Sequence, residues 1–370
     1  MQAALALEDG FVQVGEGIGA TGWTGGEVVF TTSLTGYQEV LSDPSYRGQI
    51  VVMAYPLIGN YGFSDAGLES QHPQASGFAV RWSTPAHAPA SGGPADDATS
   101  GAIGLDAYLR AWRLVGIAGI DTRRLVRHLR TCGVRRGIVS TENESHGDLV
   151  ARARALPDLG EVDLVGEVST PEVVRYPSDG PRLAVLDCGV KKGIVNNLRA
   201  RGCDVTVLPH DASAEAIRAT GAQGLVITNG PGDPARLQSI AGEVRDLWED
   251  IPIMGICLGH QILAIAAGAR TFKLPFGHRG SNHPVRDETT GKVAITTQNH
   301  GYAVDEASLA GTGFEVTHHN LHDGTVEGMR HQTLPIFSVQ FHPEGRPGPQ
   351  DSAHLFDRFL QMVGARAGTD

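Results

Sequence analysis

From Pro181 onward the hydrophobic positions fall into short continuous runs that alternate with segments reading as helices. Leu183-Ala184-Val185-Leu186, Val205-Thr206-Val207-Leu208 and Gly224-Leu225-Val226-Ile227 are runs of the first kind, and Ile194 to Ala200 and Ala214 to Ala219 are segments of the second. Such alternation predicts a parallel sheet covered by helices on both faces. Ligands of a sheet of this kind bind at the carboxyl ends of its strands. The first 140 or so residues pattern differently, with many glycines and turn signals, strands at Gly26-Glu27-Val28-Val29-Phe30 and Gln49-Ile50-Val51-Val52-Met53, and a helix from Arg123 to Thr131. The predicted fold class is therefore α/β: a doubly wound, mostly parallel sheet flanked by helices over 182–370, and a smaller mixed α+β domain over 1–140. A connecting segment over 141–181 ends in the turn-rich Tyr176-Pro177-Ser178-Asp179-Gly180-Pro181.

Within the second region, Ile251-Pro252-Ile253-Met254 reads as a buried strand and Gln261 to Ala267 as an apolar helix ending at Gly268. Between them stands Gly255-Ile256-Cys257-Leu258-Gly259. Glycines two residues to either side remove the Cβ atoms that would collide in a sharp strand-to-helix turn, the logic of a nucleophile elbow written with Cys. Cys257 is thus the candidate nucleophile, held at a helix N-terminus. A thiol needs a base, and Phe337-Ser338-Val339-Gln340-Phe341-His342-Pro343-Glu344 supplies one at the end of an apolar strand. The proline biases His342 toward extended backbone, and Glu344 is placed to orient the ring and stabilise an imidazolium. Cys132, Cys188 and Cys203 have no such setting and read as small core residues.

An acyl transfer by Cys257 also needs backbone donors for the oxyanion. The Leu258 amide, next to the nucleophile, is one candidate, and Gly232 in the Gly230-Pro231-Gly232 loop is the other. That loop can also be read as a phosphate cradle or a plain tight turn, but no Gly-Lys-Ser/Thr ending follows and Asp233 would repel an anion. His300 and the His318-His319-Asn320-Leu321-His322 cluster raise the question of a metal. A strand-to-turn spacing does not hold these rings on one face, and a thiol hydrolase needs no ion, so no metal is expected.

Gly255-Ile256-Cys257-Leu258-Gly259-His260-Gln261 and Phe341-His342-Pro343-Glu344 together resemble the class I, or triad-type, glutamine amidotransferases. Those enzymes hydrolyse the side-chain amide of glutamine and hand the ammonia to a synthetase. Further segments, Asp187 to Lys192, Thr228 to Pro234, Gly280 to Val285 and Gln298 to Tyr302, extend the likeness to the small, glutamine-hydrolysing subunits of carbamoyl phosphate synthetases. Phe30 to Glu39, Asp43 to Tyr46, Tyr55 to Gly62 and Gly119 to Arg123 resemble the N-terminal domain that other amidotransferases lack. The resemblance implies glutamine binding by Ser45, Gly230, Gly232, Leu258, Gln261, Asn299, Gly301 and Tyr302. It also implies a large synthetase subunit as partner, making carbamoyl phosphate from bicarbonate and ATP for arginine and pyrimidine synthesis, and the possibility of a higher-order heterodimer assembly. ATP and metal are then expected on that partner only, with no cofactor in this chain.

Two departures from the family pattern stand out. Ser83 to Gly101 is a low-complexity loop rich in proline and glycine, and Gly345-Arg346 occupies a place where small residues such as Ala-Ser are usual. Neither is expected to touch the chemistry, although either could alter partner contacts.

Composition narrows the classes. At 370 residues, 41% hydrophobic and a net charge of −11, the chain suits an ordinary enzyme of two domains and argues against a nucleic-acid partner. Its densest basic run, Arg123 to Arg130, reads as a solvated helix face or a protein interface. The N-terminus lacks a basic region before its apolar residues, no stretch reaches membrane-spanning length, and thiol chemistry favours a reducing compartment, so a cytoplasmic location is expected. Within enzymes, an amidotransferase for another synthetase or a free-standing γ-glutamyl hydrolase are the alternatives. A non-catalytic interaction protein on the same fold is a third, against which the complete Cys-His-Glu set argues.

Overall fold

The computed structural model describes residues 1–85 and 103–367. It divides into two compact units, Met1–Val162 and Asp163–Asp370. From residue 86 on, the loop singled out above lies outside the described residues. Its first residue, Ser83, pairs in parallel with Ile58.

In the first unit a seven-stranded sheet closes on itself in the order Gln2–Leu7, Val12–Gly19, Val115–Ala118, Gly77–Ala79, Gln49–Met53, Trp23–Thr31, Arg135–Ser140. Closure leaves no edge strand and buries one face of every strand, with Leu5, Leu7, Val28, Ile50 and Phe78 fully enclosed. The helix Thr122–Cys132 starts on the side chain of Asp121, which accepts from the Arg124 amide. It buries Leu125 and Leu129 and leaves Arg123, Arg124, Arg127 and Arg130 exposed, the solvated face that the basic run foretold.

The boundary falls later than the sequence reading placed it. Residues 141–162 belong to the barrel unit, because the helix His146–Ala155 packs Leu149 and Ala153 against Ala6 and Ile138. The signal was present in Ser145-His146-Gly147-Asp148, where the serine side chain accepts from the Asp148 amide to cap the helix. The connecting segment predicted over 141–181 is therefore divided between the two units.

The second unit is built on a ten-stranded sheet. Val174–Tyr176 edges a parallel run of Asp204–Pro209, Arg182–Asp187, Gly224–Ile227, Ile253–Ile256 and Ile336–Val339. An antiparallel extension of Val326–His331, Phe314–Asn320, Thr271–Asp287 and Val293–Val304 completes it. The extension was not foreseen in the alternating pattern, and it supplies the residues that enclose the site from one side. Strand residues alternate between two cores, as a sheet covered on both faces requires. Ala184, Leu186, Leu225 and Ile227 pack on the helices Gln238–Arg245 and Leu258–Ala266, while Leu183, Val185, Val226 and Met254 pack on Lys192–Ala200 and His354–Ala367. Among the described residues no helix is long and apolar enough to cross a membrane.

Candidate active site

The strand before Cys257 runs over Ile253–Ile256, two residues further than its apolar pattern implied, and pairs Gly255 with Ser338 and Ile256 with Val339. The chain then turns in a single residue. Cys257 has φ 54° and ψ −103°, a conformation that side-chain-bearing residues rarely hold. Both flanking glycines are explained by contact. A Cβ on Gly255 would lie 2.6 Å from the Gly259 carbonyl oxygen, and one on Gly259 would run into the carbonyl of Ile227. The Cys257 amide bonds to the Val339 carbonyl at 2.9 Å and the Gly259 amide to the Thr228 carbonyl at 3.0 Å, so the elbow is fastened to the strands on both sides.

His342 follows the neighbouring strand, Ile336–Val339. Its amide bonds to the Thr297 carbonyl at 2.9 Å, which ties it to the antiparallel half of the sheet. Its Nδ1 lies 2.7 Å from Glu344 Oε1, and both side chains are fully buried. Cys257 is close enough to act on the ring's charge. Burial works against protonating His342, but the Glu344 carboxylate outweighs it and raises the imidazole's pKa. Burial likewise opposes ionising Glu344, yet Lys191 and then His342 hold its carboxyl well below the usual carboxylate range.

Lys191 is the residue that sequence reasoning quoted but gave no role. It sits just before the helix Lys192–Ala200, fully buried, with Nζ 2.9 Å from Glu344 Oε1 and donating also to the Arg346 carbonyl. A lysine between a glycine turn and an amphipathic helix carries no sequence mark of burial, so the pairing was not legible. The Arg346 contact also corrects the expectation that Gly345-Arg346 stands apart from the chemistry. Gly345 adopts φ 61°, where a Cβ would meet the Pro349 carbonyl, and the turn it allows brings the Arg346 carbonyl onto Lys191.

The remaining predicted residues divide into groups. Gly230 packs against Leu258, with a Cβ there colliding with the Cys188 carbonyl, and Gly232 takes φ 91°, so each glycine is required by its backbone. Leu258 opens the helix Leu258–Ala266, where an amide has no carbonyl one turn behind it. The Asn299 carbonyl lies 3.7 Å from Cys257 Sγ. Gly301 and Tyr302 continue the same strand, Val293–Val304, and Gln261 Nε2 donates to the Tyr302 carbonyl at 2.8 Å and to Gln340 Oε1 at 2.9 Å. Gln261 thus braces the strand with its amide nitrogen. Ser45 lies in the other unit, buried in the short turn Pro44–Tyr46, its amide donating to Asp43 Oδ1 at 2.9 Å.

The histidines are dispersed. His318 is buried edge-on to Phe341, whereas His319, on the opposite side of its strand, pairs with Glu288 at 2.9 Å. His322 lies tilted against His283, and His300 is buried on the strand Val293–Val304. Of the other cysteines, Cys188 and Cys203 are buried as expected, whereas Cys132, on the last turn of the helix Thr122–Cys132, is exposed and not a core residue. Burial pushes the Cys188 thiol far upward, in keeping with a structural role.

A family model described as "Glutamine amidotransferase class-I" matches residues 184–362, and one described as "Carbamoyl-phosphate synthase small chain, CPSase domain" matches residues 5–139. Proteins named carbamoyl phosphate synthase small chain align over nearly the whole chain. That of Methanopyrus kandleri is 47% identical, covering 98% of this chain and 99% of the relative. That of Bacillus caldolyticus is 47% identical, covering 98% and 97%, and that of Nitratidesulfovibrio vulgaris (Hildenborough) 45% identical, covering 100% of both. With a class I amidotransferase domain behind a barrel that matches the small-chain model, and relatives of this identity end to end, the chain belongs to the carbamoyl phosphate synthase small chain family.

Proposed function

We propose that this chain is the glutamine-hydrolysing subunit of a glutamine-dependent carbamoyl phosphate synthetase, passing ammonia to a large synthetase subunit. The observation that carries the reading is the buried Lys191–Glu344–His342 series ending beside a strained Cys257 in a member of this family. In the reaction, His342 takes the thiol proton and the Cys257 sulfur attacks the carboxamide carbon of glutamine. The tetrahedral oxyanion is met by the amides of Leu258 and Gly232, each such donor being worth about 3 kcal/mol in the transition state. His342 then protonates the departing amine, ammonia leaves, and a glutamyl thioester remains on Cys257. Water, deprotonated by the same imidazole, attacks the thioester and releases glutamate, restoring the thiol. Glu344, fixed by Lys191, keeps the ring in one orientation and balances its charge throughout.

The strand segment from Asn299 to Tyr302 offers the glutamine its backbone groups, with Gly230 and Gly301 allowing close approach. No cofactor is assigned to this chain; ATP, bicarbonate and metal belong to the large subunit, and the product serves arginine and pyrimidine synthesis in the cytoplasm. Cys257→Ala tests the reading in the complex reconstituted with the large subunit. Glutamine-dependent carbamoyl phosphate formation is expected to vanish while ammonia-dependent formation survives, and loss of both would assign Cys257 a structural role. Glutamate release that runs equally fast without the large subunit, ATP and bicarbonate would instead mark a free-standing hydrolase.

A further inference from the structure

Behind the strand Val293–Val304, whose Asn299 carbonyl faces Cys257, lies a buried group of charged and polar side chains that the proposed chemistry does not use. His278, on the long strand Thr271–Asp287, places Nε2 2.8 Å from Asp323 Oδ2 and Nδ1 3.6 Å from Glu327 Oε1. The His278 side chain is 7% exposed and that of Glu327 0%, so this carboxylate meets no water that could disperse its charge. Glu327 accepts from Asn320 Nδ2 at 2.8 Å and from Gln298 Nε2 at 2.9 Å. Those contacts fix which way the Gln298 amide points. Its Oε1 then lies 3.0 Å from His300 Nε2 and the Tyr302 carbonyl 2.7 Å from His300 Nδ1; both are acceptors, so the uncharged ring donates its one N–H to the nearer, the carbonyl that Gln261 also holds, and packs against the Gln298 amide.

A series of direct contacts therefore runs from His278 through Glu327, Gln298 and His300 into the backbone between Asn299 and Tyr302. We propose that His278, as an imidazolium held between Asp323 and Glu327, is a positioning residue for glutamine hydrolysis, fixing the Glu327 carboxylate and through it the stretch of strand that bounds the sulfur. The inference rests on the glutaminase reading above and deepens it. Burial works against charging His278, but the hydrogen bond to Asp323 and the nearby Glu327 carboxylate outweigh it and push its pKa up to about 9. Two other rings face it. His300, 4.9 Å away between ring centroids, and His283, 5.2 Å away, are both pushed down, first by burial and then by the charge on His278. His322 stands beyond His283.

His278, His300 and Glu327 also bring one donor atom each within 4.8 Å of one another, the spacing of a metal site. The contacts above already employ those donors, and a metal would require His278 neutral. The two accounts are therefore distinguishable.

The experiment compares wild type, His278→Gln and Asp323→Asn, each reconstituted with the large subunit, by glutamine-dependent and ammonia-dependent carbamoyl phosphate formation across pH and by elemental analysis. His278→Gln is expected to raise the KM for glutamine about tenfold, as displacement of a binding segment does, and to leave the ammonia-dependent rate unchanged. In wild type the glutamine KM should climb as pH passes about 9, where His278 loses its proton. That limb should be absent in His278→Gln and moved to lower pH in Asp323→Asn, whose side chain is 39% exposed and whose loss should spare the fold. A glutamine KM and kcat within twofold of wild type in His278→Gln would overturn the proposal. So would an unmoved alkaline limb in Asp323→Asn, which decides the matter if His278→Gln does not fold, or one equivalent of bound metal. Failure of wild type itself to use glutamine would refute the glutaminase reading instead.

Discussion

Replacing Lys191 by methionine takes one charge out of a place where every partner is buried. The Lys191 and Glu344 side chains are 1% and 0% exposed, and Nζ lies 2.9 Å from Oε1. Removing one member of a buried pair costs about 3–5 kcal/mol, because the survivor is left uncompensated. Here the survivor retains His342, 2.7 Å away on the same oxygen, so the lower end applies, about 3 kcal/mol. A unit of this size shifts its Tm by about 2–4 °C per kcal/mol, which places the expected loss at roughly 6–12 °C. Methionine fills most of the lysine volume, so the loss reports charge and hydrogen bonding more than a cavity.

The same substitution has a signature in pH and in catalysis. Glu344 is held below the usual carboxylate range first by Lys191 and then by His342, so its stabilisation is present above its unfolded pKa and lost as pH falls toward the folded one. Lys191→Met raises the folded pKa, so the contribution is smaller and its loss, which begins near the unfolded pKa in both proteins, is complete at a higher pH. Catalytically, a carboxylate held by one partner in place of two lets the His342 ring wander, and kcat for glutamine should fall about 10–100-fold, the usual effect of losing an orienting partner, with KM little changed. Thermal unfolding followed between about pH 2 and 8, a range that spans the window below the unfolded carboxylate pKa, with glutaminase kinetics in the reconstituted complex, measures all three quantities. A variant that melts within a degree or two of wild type and hydrolyses glutamine at its rate would refute the assignment of Lys191 as the anchor of Glu344.

Three further outcomes follow from the elbow. Cys257→Gly should unfold at a higher temperature than Cys257→Ala by about 1 kcal/mol, because glycine relieves the strain of φ 54°; equal melting would mean that the turn stores no strain. Gly259→Ala puts a methyl group onto the Ile227 carbonyl and should cost about 1–3 kcal/mol together with most glutamine turnover, checked by denaturant unfolding and glutamate release. Gln261→Leu removes one donor from the Tyr302 carbonyl and should raise the glutamine KM more than it lowers kcat, whereas a pure kcat loss would move Gln261 into the chemistry.

Much of this arrangement could be read from residues alone because it is local. The elbow depends on five consecutive residues, and the glycine positions encode the collisions they avoid. Alternate burial of Leu183, Ala184, Val185 and Leu186 on two cores is the physical content of a continuous apolar run. What escaped reading is non-local. The closed barrel depends on pairing Gln2–Leu7 with Arg135–Ser140, far apart in sequence, and nothing in either strand states its partner. Lys191 and His278 look like surface residues until the fold brings a carboxylate to each. The helix at His146–Ala155 is the contrary case, since its capping serine was visible and only its weak apolar face concealed its docking on the barrel.

The strand Ile336–Val339 shows why nucleophile and base come from so far apart in the chain. It pairs in parallel on one side, with Ile253–Ile256, and antiparallel on the other, with Val326–His331, deep in the sheet, a mixture found again at Asp204–Pro209 beside the edge. Parallel pairing puts its end level with the elbow, so that His342 emerges beside Cys257. Antiparallel continuation brings Thr297 over to bind the His342 amide, and with it the Asn299–Tyr302 stretch of the same strand to the sulfur. A wholly parallel sheet would deliver strand ends and helix starts at this edge, but no antiparallel strand passing it. The change of strand direction at His342 is therefore what allows one imidazole to be set against the sulfur from the parallel half and buttressed by the antiparallel half at once.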